Sequence, residues 1–240
     1  MVAVIGSWTP HAEEPTSDDQ LIQRIVAETT RSDVTLKAFR ELRAGTLNGK
    51  HQGWMDVETT VDPAGEFQWK VIGEGGSERT RMKVLREMMN AESEAAHRSL
   101  AAALTPTNYT FHRRPRSGAG PIEIGLEPRR QDPRLVVGTL TVTDDGTPVR
   151  LEGRLAKSPS FWVKSVAIVK RYELIQGVSL PTSVESIADV KFVGQSSFSM
   201  RYRYHEVNGQ ALPARTSTHE HSFDPSREIL ALFHANARKN

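Results

Sequence analysis

Gly73-Glu74-Gly75-Gly76-Ser77 lies between a strand-like and a helix-like stretch, and backbone amides at a glycine-rich helix start form a ready anion site. A dinucleotide fingerprint needs glycine where Glu78 stands and a parallel strand after the helix, whereas the strand before this string belongs to a hairpin. A tight strand-to-helix turn is expected instead. Gly45-Thr46-Leu47-Asn48-Gly49-Lys50-His51 comes close to a phosphate-binding P-loop but is one residue short. It carries His51 in place of the metal-ligating hydroxyl and leads into a strand. Glu94 and His97 make one Glu-x-x-His, whereas carboxylate metal sites in helical bundles need two, so a solvated surface pair is expected. His219-Glu220-His221 would set two imidazoles on one face of a strand, but no third ligand is fixed, and an exposed polar strand face is the simpler reading.

The absence of cysteine removes disulfides, thiolate nucleophiles, Cys-ligated zinc and a lipidated N-terminal cysteine in the chain as given. No Gly-x-Ser-x-Gly elbow or Ser-x-x-Lys pair is present, so neither an enzyme nor a cofactor is expected. Lys and Arg number 31 against 29 Asp and Glu, a net charge of +2, which is too small for nucleic acid to be the default partner. Two local basic clusters occur, His112, Arg113, Arg114 and Arg116, then Arg129, Arg130 and Arg134. Both are interrupted by proline and read as solvated loop charge, with anionic headgroups or a partner as the alternative. No run reaches the roughly 20 apolar residues of a membrane span, so the chain is peripheral to a membrane at most. Val2 to Ile5 is shorter than a signal-peptide core and has no basic leader, so residues 1–16 are either a flexible tail or a signal remnant.

The elements that would carry these residues follow from periodicity. Ser17-Asp18-Asp19-Gln20 forms a capping box, followed by a helical face of Leu21, Ile22, Ile25 and Val26. Val34 to Ala44 alternates as a strand, broken by Phe39 and Arg40. Met55 to Val61 and Phe67 to Val71 alternate around Asp62-Pro63-Ala64-Gly65, which makes a hairpin. Met82, Leu85, Met89, Ala96, Leu100 and Ala103 then predict one long amphipathic helix over about 78–104, with only Glu92 interrupting its stripe. Strands resume at Ile122 and continue to near residue 223, and a short helix with Ile229, Leu232 and Phe233 follows Asp224-Pro225. About nine or ten strands with short turns imply sequential antiparallel pairing. Residues 17–240 are therefore expected to form a single α+β domain, an extended curved antiparallel sheet packed on one long helix plus short terminal helices. Leu155-Ala156-Lys157-Ser158-Pro159-Ser160-Phe161-Trp162 is a polar, proline-broken kink that delivers two large aromatics, read first as a strand bend filling the core.

This layout resembles the Lol lipoprotein-carrier superfamily, known among relatives as outer-membrane lipoprotein-sorting proteins, and the strings Glu74 to Ser77 and Leu155 to Trp162 are similar to those of bacterial envelope proteins of this architecture. The resemblance implies an open half-barrel closed by helices, in a periplasmic or secreted protein that receives a lipid or lipoprotein acyl chain without a cofactor. A sensor or scaffold that binds another envelope protein and an undetected enzyme are the competing readings. A hydrophobic ligand is expected between the long helix and the sheet, against Met82, Leu85 and Met89 on one side and Trp69, Trp162, Met200 and Tyr202 on the other. A packed core built from the same residues is the alternative.

Overall fold

Ser17–Thr29 forms α1, and the strands follow as β1 (Leu36–Thr46), β2 (Gly53–Val61) and β3 (Phe67–Gly76). A second helix, α2, begins as Glu78–Thr80, passes through a π-helical turn at Arg81–Leu85 and continues as Arg86–Ala96. Then come β4 (Tyr109–Arg113), β5 (Ile122–Pro128), β6 (Val136–Val142), β7 (Pro148–Leu155), β8 (Val163–Ile175), β9 (Val178–Val190), β10 (Gly194–Val207), the short β11 (Gln210–Ala211) and α3 (Arg227–Ala237). The structure is a computed structural model that describes residues 17–31, 33–96, 102–115, 120–213 and 225–237. Residues 1–16, Arg116, His97, Leu100, His219 to His221 and Asp224 lie outside the described residues.

All eleven strands join one antiparallel sheet in the order β3-β2-β1-β10-β9-β8-β7-β6-β5-β4, with β11 on β10. The sheet does not close, because β3 and β4 are its edges. The turns follow their residues. Asp62 accepts from the amides of Ala64 and Glu66, and Gly65 turns the chain with a positive φ. Asn208-Gly209 takes positive φ at both positions, as a two-residue hairpin requires. The P-loop-like string forms the β1–β2 hairpin, with the Thr46 amide donating to the Lys50 carbonyl.

Two expectations need correction. The helix predicted over 78–104 is helical to Ala96 in the described residues, and 102–108 are bends and turns. Leu104 joins the core beneath α1 instead. The pairing is sequential from β4 to β10 and from β1 to β3, but the two runs meet through β1 and β10, so the segment from Gly76 to Tyr109 connects opposite edges of the sheet.

Register defines the faces. Leu42, Met200, Val184 and Lys170 are paired across β1, β10, β9 and β8 and share the concave face, while their chain neighbours point outward. Beneath α1, Leu21 and Ile25 pack with Tyr109, Ile124, Leu135 and Leu140. Beneath α2, Leu85 and Met89 pack with Leu42, Met55, Val57 and Met200. The third helix covers the convex face, where Ile229 and Phe233 meet Ala167, Val169 and Ile187, and Glu228 pairs with Arg150 and Arg171. No helix among the described residues is long and apolar enough to cross a membrane.

Candidate ligand-binding site

One transverse row of paired residues runs across the concave face from β2 to β5, Met55, Leu42, Met200, Val184, Lys170, Leu151, Leu140 and Ile124, with Glu74 on β3 and Arg113 on β4 beyond its ends. Its first three members belong to the core under α2 and its last three to the core under α1. Between Met55 and Ile124 Lys170 is the row's single charge, and it sits where the two cores meet. Its ammonium lies 5.2 Å from the centre of the Tyr172 ring and forms no ion pair among the described residues. The Tyr172 phenol, assisted by Tyr202 and Glu92, holds the Lys170 ammonium above its ordinary range against the opposing effect of burial.

Arg40 lies on the same face, beside Tyr202 in the next row. Its side chain is buried between the rings of Phe67 and Tyr202, 4.8 and 4.7 Å from their centres. The guanidinium donates to Glu92 on α2 at 2.7 Å and to the Thr59 hydroxyl at 3.1 Å. Burial works to lower the Arg40 pKa, but the Glu92 carboxylate wins and the group is held above its usual value. Tyr202 stacks on Tyr204 with ring centres 6.2 Å apart. Burial pushes the Tyr202 hydroxyl up to about 12, with the Glu92 charge adding to it, and burial raises Tyr204 in the same direction. The Tyr204 hydroxyl donates to the Pro181 carbonyl. Between the two helices the concave face thus presents three part-buried tyrosines, a lysine and the apolar side chains Ile168 and Val184.

The expected site residues divide between two places. Leu85, Met89 and Met200 come together under α2 with Trp69 and Tyr202 at their margin, and the first three are buried. Met82 is 48% exposed, because the π-helical turn puts an extra residue between it and the rest of its stripe. Trp162 is 55% exposed at the end of the sheet and touches Phe161 and Phe192, so the kink that carries it does not fill the core.

No protein-family model matches the sequence, and no curated protein matches it. Among solved structures, the chain is similar to a LolA superfamily protein from Nitrosomonas europaea, with 12% identity and a TM-score of 0.38 over 80% of this chain and 93% of that one. A DUF1329 family protein from Desulfovibrio piger is similar at 13% identity and a TM-score of 0.33, over 80% and 90% of the two chains. Lipovitellin, in a structure describing its lipid–protein interactions, is similar at 8% identity and a TM-score of 0.34, over 78% of this chain and 26% of that one.

The remaining strings take structural roles. The Trp54 indole lies against Gly73 and Gly75, where a Cβ on Gly75 would come within 2.6 Å of Trp54 Nε1. Glu74 pairs with Arg81 and Arg86, and the Ser77 hydroxyl caps the helix by accepting from the Thr80 amide. The glycines are thus a seat for an indole. In the basic clusters, Arg113 pairs with Asp18 and Arg114 with Glu123, while Asp132 is held by Arg130 and Arg134, whose bonds keep its carboxyl well below the usual carboxylate range. No group of metal-ligating side chains occurs among the described residues. A small cavity of about 50 Å³ is lined by Asp18, Leu21, Ile22, Phe111, Arg113 and Ile124, well below the roughly 300 Å³ of a small-ligand pocket. Arg40, Lys170, Tyr172 and Tyr204, which the structure brings to this face, were not among the residues expected there.

Proposed function

We propose that this chain binds, without catalysing a reaction, a hydrophobic ligand that carries an acyl chain and an anionic head, on the concave face between α1 and α2. The observation that carries this reading is the position of Lys170. It is a cation that forms no ion pair among the described residues, set at the junction of two apolar cores beside Tyr172 and Tyr202. A carboxylate or phosphate would meet Lys170, while the chain lies along Ile168, Val184 and the tyrosine faces. Each methylene removed from water contributes roughly 0.8 kcal/mol, so a ligand covered along part of its length is held firmly. The packed residues Leu85, Met89 and Met200 then serve as the floor beside the ligand, with Tyr202 shared between floor and site. This reading includes export to the bacterial periplasm or beyond, and fractionation that finds the protein in the cytosol would remove the carrier role.

Native mass spectrometry of protein prepared from a bacterial periplasm, followed by lipid extraction, is expected to show a bound acyl lipid. A fluorescent fatty acid should bind the delipidated protein. Lys170→Met should weaken that binding by about tenfold, equivalent to about 1.4 kcal/mol, while leaving a fatty alcohol of equal length unaffected. A parent protein that carries no lipid and binds neither probe would overturn the reading.

A further inference from the structure

The end of the sheet where β8 and β10 begin and β9 finishes carries a cluster of large apolar side chains with no partner surface among the described residues. Phe161 is 76% exposed, Trp162 55% and Phe192 93%, with Val193 exposed beside them. They are gathered, not scattered. The Phe161 and Trp162 ring centres are 5.5 Å apart, those of Trp162 and Phe192 are 5.9 Å apart, and the Lys191 amide donates to the Trp162 carbonyl at 2.8 Å, tying the two loops together. Phe192 adopts a φ of 65°, a conformation unfavourable for an aromatic residue, and in it the ring stands in solvent. Lys191 Nζ sits 3.6 Å from the centre of the Phe161 ring.

The charge around this knob is one-sided. Strand directions place the β1–β2, β5–β6, β7–β8 and β9–β10 connections at this same end, and they bring Lys50, Arg129, Arg130, Arg134, Lys157 and Lys191 there. Of the acids at this end, Asp132 is held by Arg130 and Arg134, Asp189 pairs with Lys164, and Glu78 is offset by its neighbour Arg79. The turns at the opposite end carry Asp62, Glu66, Asp144 and Asp145, while Arg31 and Arg114 there pair with Asp33 and Glu123. Exposed aromatics ringed by lysine and arginine match a membrane interface, where rings sit at the headgroup level and cations meet anionic lipid.

We propose that this knob, Phe161, Trp162 and Phe192 with Lys157 and Lys191, docks the protein on an anionic bilayer surface without spanning it. The proposal does not depend on the ligand-binding reading above. Co-sedimentation with vesicles of phosphatidylcholine and phosphatidylglycerol in equal parts is expected, with little binding to vesicles of phosphatidylcholine alone and release at high salt. Phe161→Ser with Phe192→Ser removes two exposed rings, so it should keep the parent's urea unfolding midpoint while losing about tenfold or more in vesicle partitioning. Lys157→Gln with Lys191→Gln should lose the preference for anionic vesicles. Failure of the parent protein to sediment with anionic vesicles would overturn the proposal, as would undiminished binding by the aromatic double variant. A dimer in solution that the same variant splits would also overturn it, because the knob would then be a protein interface.

Discussion

Arg40 and Glu92 are opposite charges brought together inside an otherwise apolar layer, and their pairing decides what each contributes. Arg40 occupies an inward position of β1 between Ala38 and Leu42, and Glu92 interrupts the inward stripe of α2. Alone, either would be a buried or half-buried charge without compensation. Together they close at 2.7 Å with Thr59 and two rings completing the shell. Glu92→Leu alone is expected to cost roughly 2 kcal/mol, less than the about 3–5 kcal/mol of breaking a fully buried pair, because the carboxylate is partly exposed. Adding Arg40→Met should recover about half of that loss, since an apolar pair of similar volume leaves no charge stranded. Equilibrium urea unfolding of the four proteins in the cycle measures this; simple additivity of the two losses would show that the pair is not coupled. These residues were legible in the sequence only as flaws. Each breaks a periodic stripe, and nothing in periodicity says that the break 52 residues later is its complement. Lys170 is a third such flaw, a charge at an inward position of β8 between Ile168 and Tyr172.

At the scale of elements, sequence patterns located most strands and both terminal helices because alternation is local, although the start of α3 is capped by the Ser226 hydroxyl, which accepts from the Ile229 amide, and not by the residue read from the sequence. The exceptions have physical causes. In α2 the Arg86 amide donates to the Arg81 carbonyl, so one residue more than an α-turn holds is accommodated, and the residues before it are turned by roughly 100° from the stripe that follows. Met82 leaves the core for that reason, and Glu74 is left to bind Arg81 and Arg86 together. The β4 strand was not anticipated because its five residues, Tyr109–Arg113, include His112 and Arg113 and offer too short an alternation. A second hidden feature is the approach of β6 to β7, where Gly138 faces Gly153 across the ladder. A Cβ on Gly138 would fall inside contact distance of the Glu152 carbonyl oxygen and within 2.7 Å of the Gly153 Cα, both backbone atoms that cannot turn aside. Gly138→Ala is therefore expected to cost about 1–3 kcal/mol, the range for overpacking. Gly120→Ala, with open space at its Cβ, should change stability by less than about 0.5 kcal/mol. Thermal unfolding of the two variants side by side distinguishes them, and equal midpoints would show that the two strands can separate freely at this point.

The molecule as a whole is two meanders, β1–β3 and β4–β10, joined where β1 pairs with β10. That junction pairs Leu36 with Val207 and Thr46 with Ser196, residues far apart in the chain, and alternation reports which face a side chain takes without naming its neighbour. The number and sense of the strands were therefore readable and the seam was not. Each half of the concave face has its own core and its own helix, and among the described residues the two cores have no buried residue in common. What holds the halves together is the central ladder of β8, β9 and β10, strands of 13, 13 and 14 residues, backed by α3 on the convex side. Cooperative opening should begin at the margins, since an edge strand is paired on one side only and β4 has only five residues. Native-state hydrogen exchange is expected to find the amides of Val169, Ile187 and Met200 exchanging only through global unfolding, while those of Thr110 and His112, which the register bonds to β5, exchange through local opening at lower free energy. Denaturant separates the two regimes, because local opening is nearly insensitive to urea and global unfolding is steeply dependent on it. If His112 and Ile187 showed the same urea dependence from zero denaturant upward, the sheet would be a single cooperative unit from edge to edge. The β8–β10 ladder would then have no special place in joining the halves.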